Sequence, residues 1–360
     1  MQRTKPQIAV IYGGISNEHE ISCISARNVI AAIDTEKYDV VNVGITKSGA
    51  WFLQDDIKES LTNASLPEVQ AVGTPVTLSL NRNFKGLVSL TGESQLIELD
   101  AIFPILHGRF GEDGTIQGAA EFVGLACVGA GTLASALAMD KSQFKLILKA
   151  SGLPSVPSVS FTITDWNDDP EACLATCKAL QFPLFVKPAR AGSSLGVEKV
   201  ETFEQLQKAV KTAFGIDEIV LVEQAVTHSR EIECGVLVEN GIARASVPSE
   251  IKVKGNFDFY SYEAKYVDDS TELIVPAELE LKTVAEVQKL ALETFRAIGA
   301  KGYARVDFLI TEDGAIFINE LNTIPGFTNI SMFPRMFAAS GVSYPALIDT
   351  LISDALNRHG

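Results

Sequence analysis

Four polar residues stand inside two otherwise apolar segments near the end of the chain, and their chemistry suits a metal ion. The segments read YARVDFLIT and AIFINELNT, and they contain Arg305, Asp307, Glu320 and Asn322. The EDG sequence between them predicts a tight turn and an antiparallel hairpin. Glu320 and Asn322 are two residues apart and share one face of a strand, and Asp307 can face them from the partner strand. Three oxygen donors so placed favour Mg²⁺, which takes nucleotide phosphates as further ligands; the alternative is a solvated sheet face with incidental acids.

The segment NTIPGFTNIS follows this hairpin directly and could bind an anion. Its Pro325-Gly326 pair predicts a turn that exposes backbone N–H groups next to the proposed metal site. Such groups could hold a phosphate or a carboxylate. The same segment could instead serve only to cross between domains.

A lysine at the start of a loop of small residues is a candidate for phosphate binding. In FVKPARAGSSLGV, Lys187 follows an apolar strand and precedes glycines and serines at residues 192–196. Small residues let backbone N–H groups approach phosphate oxygens, and lysine adds a point charge. The spacing departs from GxxxxGK[ST], so a surface hairpin with a Gly/Ser turn is an open alternative. A second lysine, Lys141, and an acidic metal site in another domain together indicate a nucleotide bound between domains.

The elements that position these residues begin with a predicted parallel α/β unit. An apolar strand over 8–12 ends in Gly13-Gly14, and apolar residues then recur at helical spacing as far as Ile33. Further strands are predicted over 38–46 and 99–106. The region 58–98 contains only interrupted apolar pieces and is expected to elaborate this first domain.

The rest of the chain predicts α+β structure. Strands are expected around Val159 and Phe185 and from Ile219 onwards, with a hairpin turn at Asn240-Gly241. Helices are predicted over 133–150, 202–214, 281–298 and 344–356.

Composition and charge limit the class of protein. A chain of 360 residues is longer than one core usually supports, and 46% hydrophobic with 21% charged residues is ordinary for a folded protein. A net charge of −15 argues against binding to nucleic acid. Neither a signal-peptide pattern nor an apolar run of roughly 18 residues is present, so we expect a cytoplasmic protein that does not enter a membrane. The five scattered cysteines predict reduced, buried thiols rather than a zinc site.

Seven motifs, in order along the chain, resemble those of the D-alanine:D-alanine ligase family, a branch of the ATP-grasp superfamily. They are GGISNEHEIS (13–22), LHGRFGEDGTIQG (106–118), SALAMDK (135–141), KPARAGSSLGV (187–197), YEAKY (262–266), RVDF (305–308) and NELNTIPGFTNIS (319–331). They span nearly the whole chain outside the region 58–98. The resemblance implies an α/β and α+β protein with a three-domain ATP-grasp fold. A Rossmann-like parallel α/β domain would occupy 1–128, and two α+β domains at 129–221 and 222–360 would clamp ATP.

The resemblance also implies a reaction, its metal ions and an assembly. ATP would phosphorylate the carboxylate of one D-alanine, and the amine of a second D-alanine would attack the acyl phosphate. The products would be D-alanyl-D-alanine for peptidoglycan synthesis, ADP and phosphate. Two Mg²⁺ or Mn²⁺ ions would lie on Asp307, Glu320 and Asn322, and a homodimer is usual in the family.

The matching motifs imply a role for each remaining site residue. Residues implied to bind the nucleotide are Lys141, Lys187, Ser194 and Lys265 at the phosphates, and Glu223, Gln224, Val226 and Glu231 at the adenine and ribose. Residues implied to act on the amino acids are Arg305 and the N–H group of Gly326 at the oxyanion, Glu18 at the first ammonium group with its lid partners Ser193 and Tyr266, and Ser331 at the second carboxylate. His107 would either transfer a proton or only order the glycine-rich loop that follows it.

Three residues bear on the choice of second substrate. Relatives that accept D-lactate tend to replace the lid tyrosine, so Tyr266 implies D-alanine. Met332 offers no obvious partner for a D-serine hydroxyl group, yet ligases that join D-alanine to D-serine or D-lactate stay the closest alternatives. Ala191 departs from the acid that many relatives place before the lid glycine, which bears on substrate range.

Two rival functions belong to other classes. A dehydrogenase would need GxGxxG after the first strand, and that pattern is missing. A non-catalytic nucleotide sensor of the same fold predicts a broken metal set or the loss of Arg305, and both are present in the sequence.

Overall fold

Three sheets organise the chain in the computed structural model, which describes residues 3–57, 61, 66–91, 95–192, 195–253, 271–328 and 330–359. Within these residues the sheets have eight, four and six strands. Each is built from a different part of the sequence.

The N-terminal sheet has parallel strands around its first strand. Its elements are β1 (Gln7–Gly13), α1 (His19–Ala32), β2 (Asp39–Ile45), β3 (Trp51–Gln54), β4 (Thr74–Leu78), β5 (Gly86–Ser89), β6 (Leu96–Glu98), β7 (Ala101–Ile105), α2 (Thr115–Val123) and β8 (Ala126–Cys127). The strand order is β6-β5-β4-β3-β2-β1-β7-β8, and β1, β2, β7 and β8 run parallel. Residues 8–12 are fully buried, as expected of a parallel strand covered on both faces. The predicted parallel unit is confirmed, and β4, β5 and β6 extend it with antiparallel strands.

The central sheet is antiparallel and small. The elements of this part of the chain are α3 (Thr132–Met139), α4 (Lys141–Ala150), β9 (Ser158–Thr162), α5 (Ile163–Asp168), α6 (Pro170–Thr176), β10 (Leu184–Pro188), β11 (Glu198–Val200), α7 (Phe203–Phe214) and β12 (Ile219–Gln224). The strand order is β11-β10-β12-β9. The proposed domain boundary at 221/222 falls inside β12, which pairs within this sheet as far as Gln224.

The single helix predicted over 133–150 is wrong, because the chain breaks at Asp140 into α3 and α4. Asp140 has an extended backbone, and its carboxylate accepts the N–H groups of Ser142 (3.0 Å) and Gln143 (3.1 Å) as an N-cap. The apolar spacing continues through the break, so periodicity alone hides it. As the first residue of α4, Lys141 donates its backbone N–H to the carbonyl of Ala189 (3.0 Å), just after β10.

The C-terminal sheet carries the hairpin on which the predicted metal residues lie. Its elements are β13 (Arg230–Glu239), β14 (Ile242–Ala245), β15 (Ser249–Val253), β16 (Thr271–Ile274), α8 (Leu281–Ala297), β17 (Tyr303–Ile310), β18 (Ile316–Asn322), α9 (Met332–Ala339) and α10 (Tyr344–Asn357). The main strand order is β16-β15-β13-β17-β18, and β14 pairs with β13. Both predicted hairpins are confirmed, and Asn240 (φ 52°) and Gly241 (φ 77°) adopt the positive φ of a two-residue turn.

The last helix joins the C-terminal part of the chain to the N-terminal sheet. Leu347, Ile348 and Leu351 of α10 are buried in one core with Val10 and Phe103 of the N-terminal strands. The proposed domain 222–360 therefore contributes its final helix to the core of the first domain. This packing fixes the loops at the ends of β1 and β7 relative to the β17–β18 hairpin.

Two further sequence expectations concern the cysteines and the membrane. All five cysteines are free and buried, which confirms the prediction of enclosed thiols. None of the helices in the described ranges combines the length and the apolar character needed to cross a bilayer.

Candidate active site

One cavity of about 1430 Å³ lies where residues of all three sheets and their loops meet. Every predicted site residue within the described ranges lines it: Glu18, His107, Lys141, Lys187, Glu223, Gln224, Val226, Glu231, Arg305, Asp307, Glu320, Asn322, Gly326 and Ser331. The predicted residues Ser193, Ser194, Lys265 and Tyr266 lie outside the described residues. Residues more than 300 positions apart in the sequence thus border the same space.

The strand register of the β17–β18 hairpin brings the predicted metal residues to one face. Asp307 pairs with Glu320 and Arg305 pairs with Asn322, while Val306 and Phe308 point into the core. The pairing then shifts at a bulge between Asp307 and Phe308. The predicted placement of three oxygen donors on one face is therefore confirmed, because all three also line the cavity.

Arg305 is tied to two carboxylates at this face. Its Nε and Nη2 atoms each lie 2.6 Å from an oxygen of Asp307, and Nε lies 3.1 Å from Oε1 of Glu233 on β13. The amide of Asn322 donates to the same Asp307 (2.8 Å). Burial opposes the charge of Arg305, but Asp307 and Glu233 outweigh it and raise the pKa of the guanidinium group well above its usual value. The arginine is therefore a permanent cation in a fixed position.

The donor set at this face fits a hard divalent cation. Within the described residues, no cluster of three His, Cys, Asp or Glu side chains is close enough to hold a metal ion. The set at this face has only two such side chains, Asp307 and Glu320, and the amide oxygen of Asn322 would be the third protein ligand. Water or phosphate oxygens would complete the coordination of the cation. Two carboxylates and one amide oxygen without nitrogen or sulfur donors suit Mg²⁺, which keeps several non-protein ligands.

A second charged cluster lies on the cavity side of the central sheet. Glu223 of β12 pairs directly with Phe185 of β10, and Lys187 is two residues further along the same face. The ammonium group of Lys187 contacts Oε1 of Glu223, and Nζ of Lys145 lies 3.4 Å from Oε2. Burial alone would raise the pKa of Glu223, but the two lysines outweigh it and lower that pKa to about 2.

Lys141 reaches the loop that follows β10. Its Nζ donates to the carbonyl of Ala191 (2.8 Å), next to the glycines predicted to cover phosphate. A Cβ atom added to Gly192 would lie 3.4 Å from Oε2 of Glu18, so the loop backbone passes close to the first domain. Arg190, which directly precedes Ala191, pairs with Asp217 and anchors the start of this loop.

His107 connects the first domain to the segment after β18. Its Nδ1 lies 3.0 Å from the carbonyl of Ile324, and its Nε2 lies 3.3 Å from Oγ of Ser25, which accepts the N–H of Phe327 (3.3 Å). Burial lowers the pKa of His107, so the ring is neutral. Because a carbonyl only accepts, Nδ1 carries the proton and Nε2 accepts from Ser25. With both ring nitrogens engaged, the contacts favour an ordering role over proton transfer.

Gly326 and Ser331 lie against each other in that segment. A Cβ atom on Gly326 would come within 2.6 Å of Oγ of Ser331, so a larger residue here would displace the Ser331 side chain. Oγ of Ser331 in turn accepts the N–H of Thr328 (3.0 Å). The predicted turn is thus held in a shape that keeps both residues at the cavity wall.

Three residues of the site were missed by the sequence reasoning. Lys145 lies one helical turn after Lys141, a spacing that places both on one face of α4 and could have indicated it. Glu233 is a charged residue inside an apolar strand, the signal used for Asp307 on β17. Glu112 lies within the LHGRFGEDG motif, where nothing distinguishes it from its acidic neighbour.

Glu112 is half-buried beneath the glycine-rich loop. Its carboxyl oxygens accept the N–H groups of Gly108 (2.6 Å) and Ile324 (3.2 Å). Desolvation and the nearby charge of Glu18 raise its pKa to about 8. The group is therefore largely protonated near neutral pH while it joins the first domain to the segment after β18.

Comparison with known proteins identifies the family. A model described as D-ala D-ala ligase N-terminus matches residues 7–130, and one described as D-ala D-ala ligase C-terminus matches residues 147–353. The chain belongs to the D-alanine–D-alanine ligase family. Similar proteins include the D-alanine–D-alanine ligases of Kineococcus radiotolerans (48% identical, covering 98% of this chain and 97% of the relative) and Mycobacterium bovis (46%, covering 98% and 96%).

Solved structures of the D-alanine–D-alanine ligase family confirm the ATP-grasp fold class. The chain superimposes on VanG D-Ala:D-Ser ligase from Enterococcus faecalis with a TM-score of 0.85 at 35% identity, covering 98% of this chain and 100% of that chain. The D-alanine–D-alanine ligase from Coxiella burnetii gives 0.83 at 34% identity, covering 99% and 95%. The resemblance inferred from the seven motifs is thereby confirmed.

The raised pKa of Glu112 predicts a pH dependence of stability. Between about pH 4.5 and pH 8 the folded chain holds a proton on Glu112 that the unfolded chain has released. The free energy of unfolding should therefore fall with rising pH across this window, and it should fall less for Glu112→Gln, which does not titrate. Urea unfolding of both proteins at about pH 5 and pH 8 measures the difference. Parallel pH profiles for the two proteins would contradict the assignment.

Proposed function

We propose that the chain joins two D-alanine molecules with ATP and releases D-alanyl-D-alanine, ADP and phosphate for peptidoglycan synthesis. The observation that carries this proposal is the convergence of two lysines, an acidic donor set and a fixed arginine on one cavity in a member of the D-alanine–D-alanine ligase family. Relatives that are 46–48% identical over nearly the whole chain are named D-alanine–D-alanine ligase.

The nucleotide would lie between the central and C-terminal sheets. Lys141 and Lys187 supply positive charge to the phosphates, which offsets the charge that develops during phosphoryl transfer. The carboxylate of Glu223 would accept a hydrogen bond from the adenine amino group. Gln224, Val226 and Glu231 also line the cavity and would border the adenine and ribose. Ser194 and Lys265 are also proposed to contact the phosphates, and this proposal is supported only by the motifs in which they lie.

The donor set Asp307, Glu320 and Asn322 would hold Mg²⁺ or Mn²⁺, and we propose two ions. When bound there, the metal offsets phosphate charge and orients the transferred group. The side chains themselves are held in register by the hairpin and by the amide contact between Asn322 and Asp307.

The acyl transfer would take place between Arg305 and the turn at Gly326. A carboxylate oxygen of the first D-alanine attacks the γ-phosphorus and ADP leaves; the amine of the second D-alanine then attacks the acyl carbon and phosphate leaves. Arg305 and the N–H group of Gly326 would stabilise the negative oxygen of the tetrahedral intermediate. Because Asp307 and Glu233 fix the guanidinium group beforehand, little reorganisation is needed.

The two amino acids would bind on either side of this point. Glu18 would receive the ammonium group of the first D-alanine, with Ser193 and Tyr266 as its proposed lid partners, and Ser331 would contact the second carboxylate. His107 would order the segment that carries Gly326.

We also propose a cytoplasmic homodimer that binds neither nucleic acid nor membrane, as expected from the family and the net charge of −15.

D-alanine is favoured over D-serine as the second substrate. Met332, next to Ser331, is buried in an apolar cluster with Ile251 and Met336, and its thioether sulfur, 3.7 Å from Nη1 of Arg335, is only a weak hydrogen-bond acceptor for a hydroxyl group. The D-Ala:D-Ser ligase named among the solved structures is only 35% identical, below the 46–48% of the D-alanine–D-alanine ligases. The argument against D-lactate depends on Tyr266, which lies outside the described residues.

Substrate use is tested by phosphate release from ATP with Mg²⁺. D-alanine alone should drive turnover, because it serves as both substrates. L-alanine is the matched control and should not. Turnover only when D-serine or D-lactate is added to D-alanine would make the choice of second substrate wrong, and no turnover with any D-amino acid would make the function wrong.

The donor set is tested by Glu320→Ala, with Glu312→Ala in the exposed turn of the same hairpin as control. Because Glu320 would hold the metal that offsets phosphate charge, removing its carboxylate should lower kcat by about 100-fold or more. Glu312→Ala should keep normal turnover. Near-normal kcat in the Glu320 variant at saturating Mg²⁺ would remove the metal assignment.

A further inference from the structure

Two ammonium groups share one carboxylate in the enclosed cluster of the central sheet. The side chains of Lys145, Lys187 and Glu223 are only 6%, 16% and 5% exposed. Lys187 contacts one oxygen of Glu223 and Lys145 approaches the other. When all three groups are ionised the cluster carries a charge of +1, so it is one anion short of neutrality.

The two lysines differ in their freedom to move. Lys145 lies on the buried side of α4, as do Phe144 and Leu148, and its Nζ is also 3.4 Å from the carbonyl of Ile318 on β18. It is not one of the described residues that line the cavity. Lys187 does line the cavity, on β10 just before the glycine loop. An incoming anion therefore reaches Lys187 and not Lys145.

The shared carboxylate limits what Lys187 can do. A buried carboxylate is costly without a cation, so Lys187 can turn away from Glu223 only if another positive charge remains there. Lys145 is the group in place to supply that charge. Without it, Lys187 and Glu223 would form a closed neutral pair, and phosphate would have to compete with Glu223 for the ammonium group.

We propose that Lys145 is a positioning residue for the nucleotide: it remains on Glu223 as a fixed counter-ion, and so frees Lys187 to bind the phosphates of ATP while Glu223 stays ionised. This inference rests on the ATP-binding part of the proposed function. It does not depend on the identity of the amino acid substrates.

Calorimetric titration with ATP and Mg²⁺, in the absence of amino acids, tests the proposal. Lys145→Met should weaken ATP binding about tenfold or more, because Lys187 is then retained by Glu223. Lys145→Arg keeps the charge and should recover most of the affinity. The matched control is Lys149→Met, one turn later on the same helix, where the side chain is exposed; this variant should bind ATP as the wild type does.

A double-variant cycle separates positioning from a general structural role. In a Glu223→Gln background the carboxylate that needs a counter-ion is gone, so adding Lys145→Met should change the ATP Kd by less than about twofold. Equal weakening in both backgrounds would overturn the proposal, as would an unchanged Kd for Lys145→Met alone. If circular dichroism shows that Lys145→Met does not fold, Lys145→Gln takes its place in the cycle with the same expected outcomes.

Turnover assays separate this inference from the function on which it rests. In Lys145→Met the KM for ATP should rise while the KM for D-alanine stays within about twofold of the wild type. Normal D-alanine turnover with an unchanged ATP Kd would contradict only the role of Lys145. ATP binding that follows the predicted cycle without any D-alanine turnover would contradict only the ligase function.

Discussion

The ion pairing of Arg305 is the interaction on which the rest of the site depends. Its side chain is only 17% exposed and is positioned by Asp307 and Glu233 on its own strand and on the neighbouring one. A cation so enclosed requires these carboxylates, and they in turn fix the register of β13, β17 and β18 on the cavity side. Because the proposed metal residues extend from the same hairpin, one set of contacts would position both the proposed oxyanion site and the proposed phosphate site.

The other two parts of the site are brought to this hairpin by separate contacts. Helix α10 packs into the N-terminal core, and His107 and Glu112 bond to the segment after β18 at Ile324. The central sheet approaches through α4, where Lys145 touches both Glu223 and the carbonyl of Ile318. Each junction thus contains a buried or half-buried polar group with a partner on another part of the chain. Such contacts define a relative position that apolar packing alone would leave less specific.

Sequence patterns predicted much of this structure where the signal is local. Alternation of polar and apolar residues identified the β17–β18 hairpin and its polar face, and Asn240-Gly241 identified the turn between β13 and β14. The break at Asp140 was missed because apolar spacing continues across it, and α9 was missed because Pro334 lies in its first turn, where proline is tolerated. The spacing of Lys145 from Lys141 and the position of Glu233 inside an apolar strand are local signals that could have indicated both residues. Their partners, like those of Glu112, depend on strand register and on contacts between distant segments, which no local pattern contains. The roles of Ser193, Ser194, Lys265 and Tyr266 stay predictions.

Isotope transfer into phosphate tests the central claim most directly. In the proposed route a carboxylate oxygen of the first D-alanine becomes the bridging oxygen of the acyl phosphate and leaves with the phosphate. With D-alanine labelled by ¹⁸O in its carboxylate, mass spectrometry should detect one labelled oxygen in each phosphate released and D-alanyl-D-alanine as the accompanying product. Unlabelled phosphate formed together with ADP would mean that water, not D-alanine, receives the phosphoryl group, and would contradict the account.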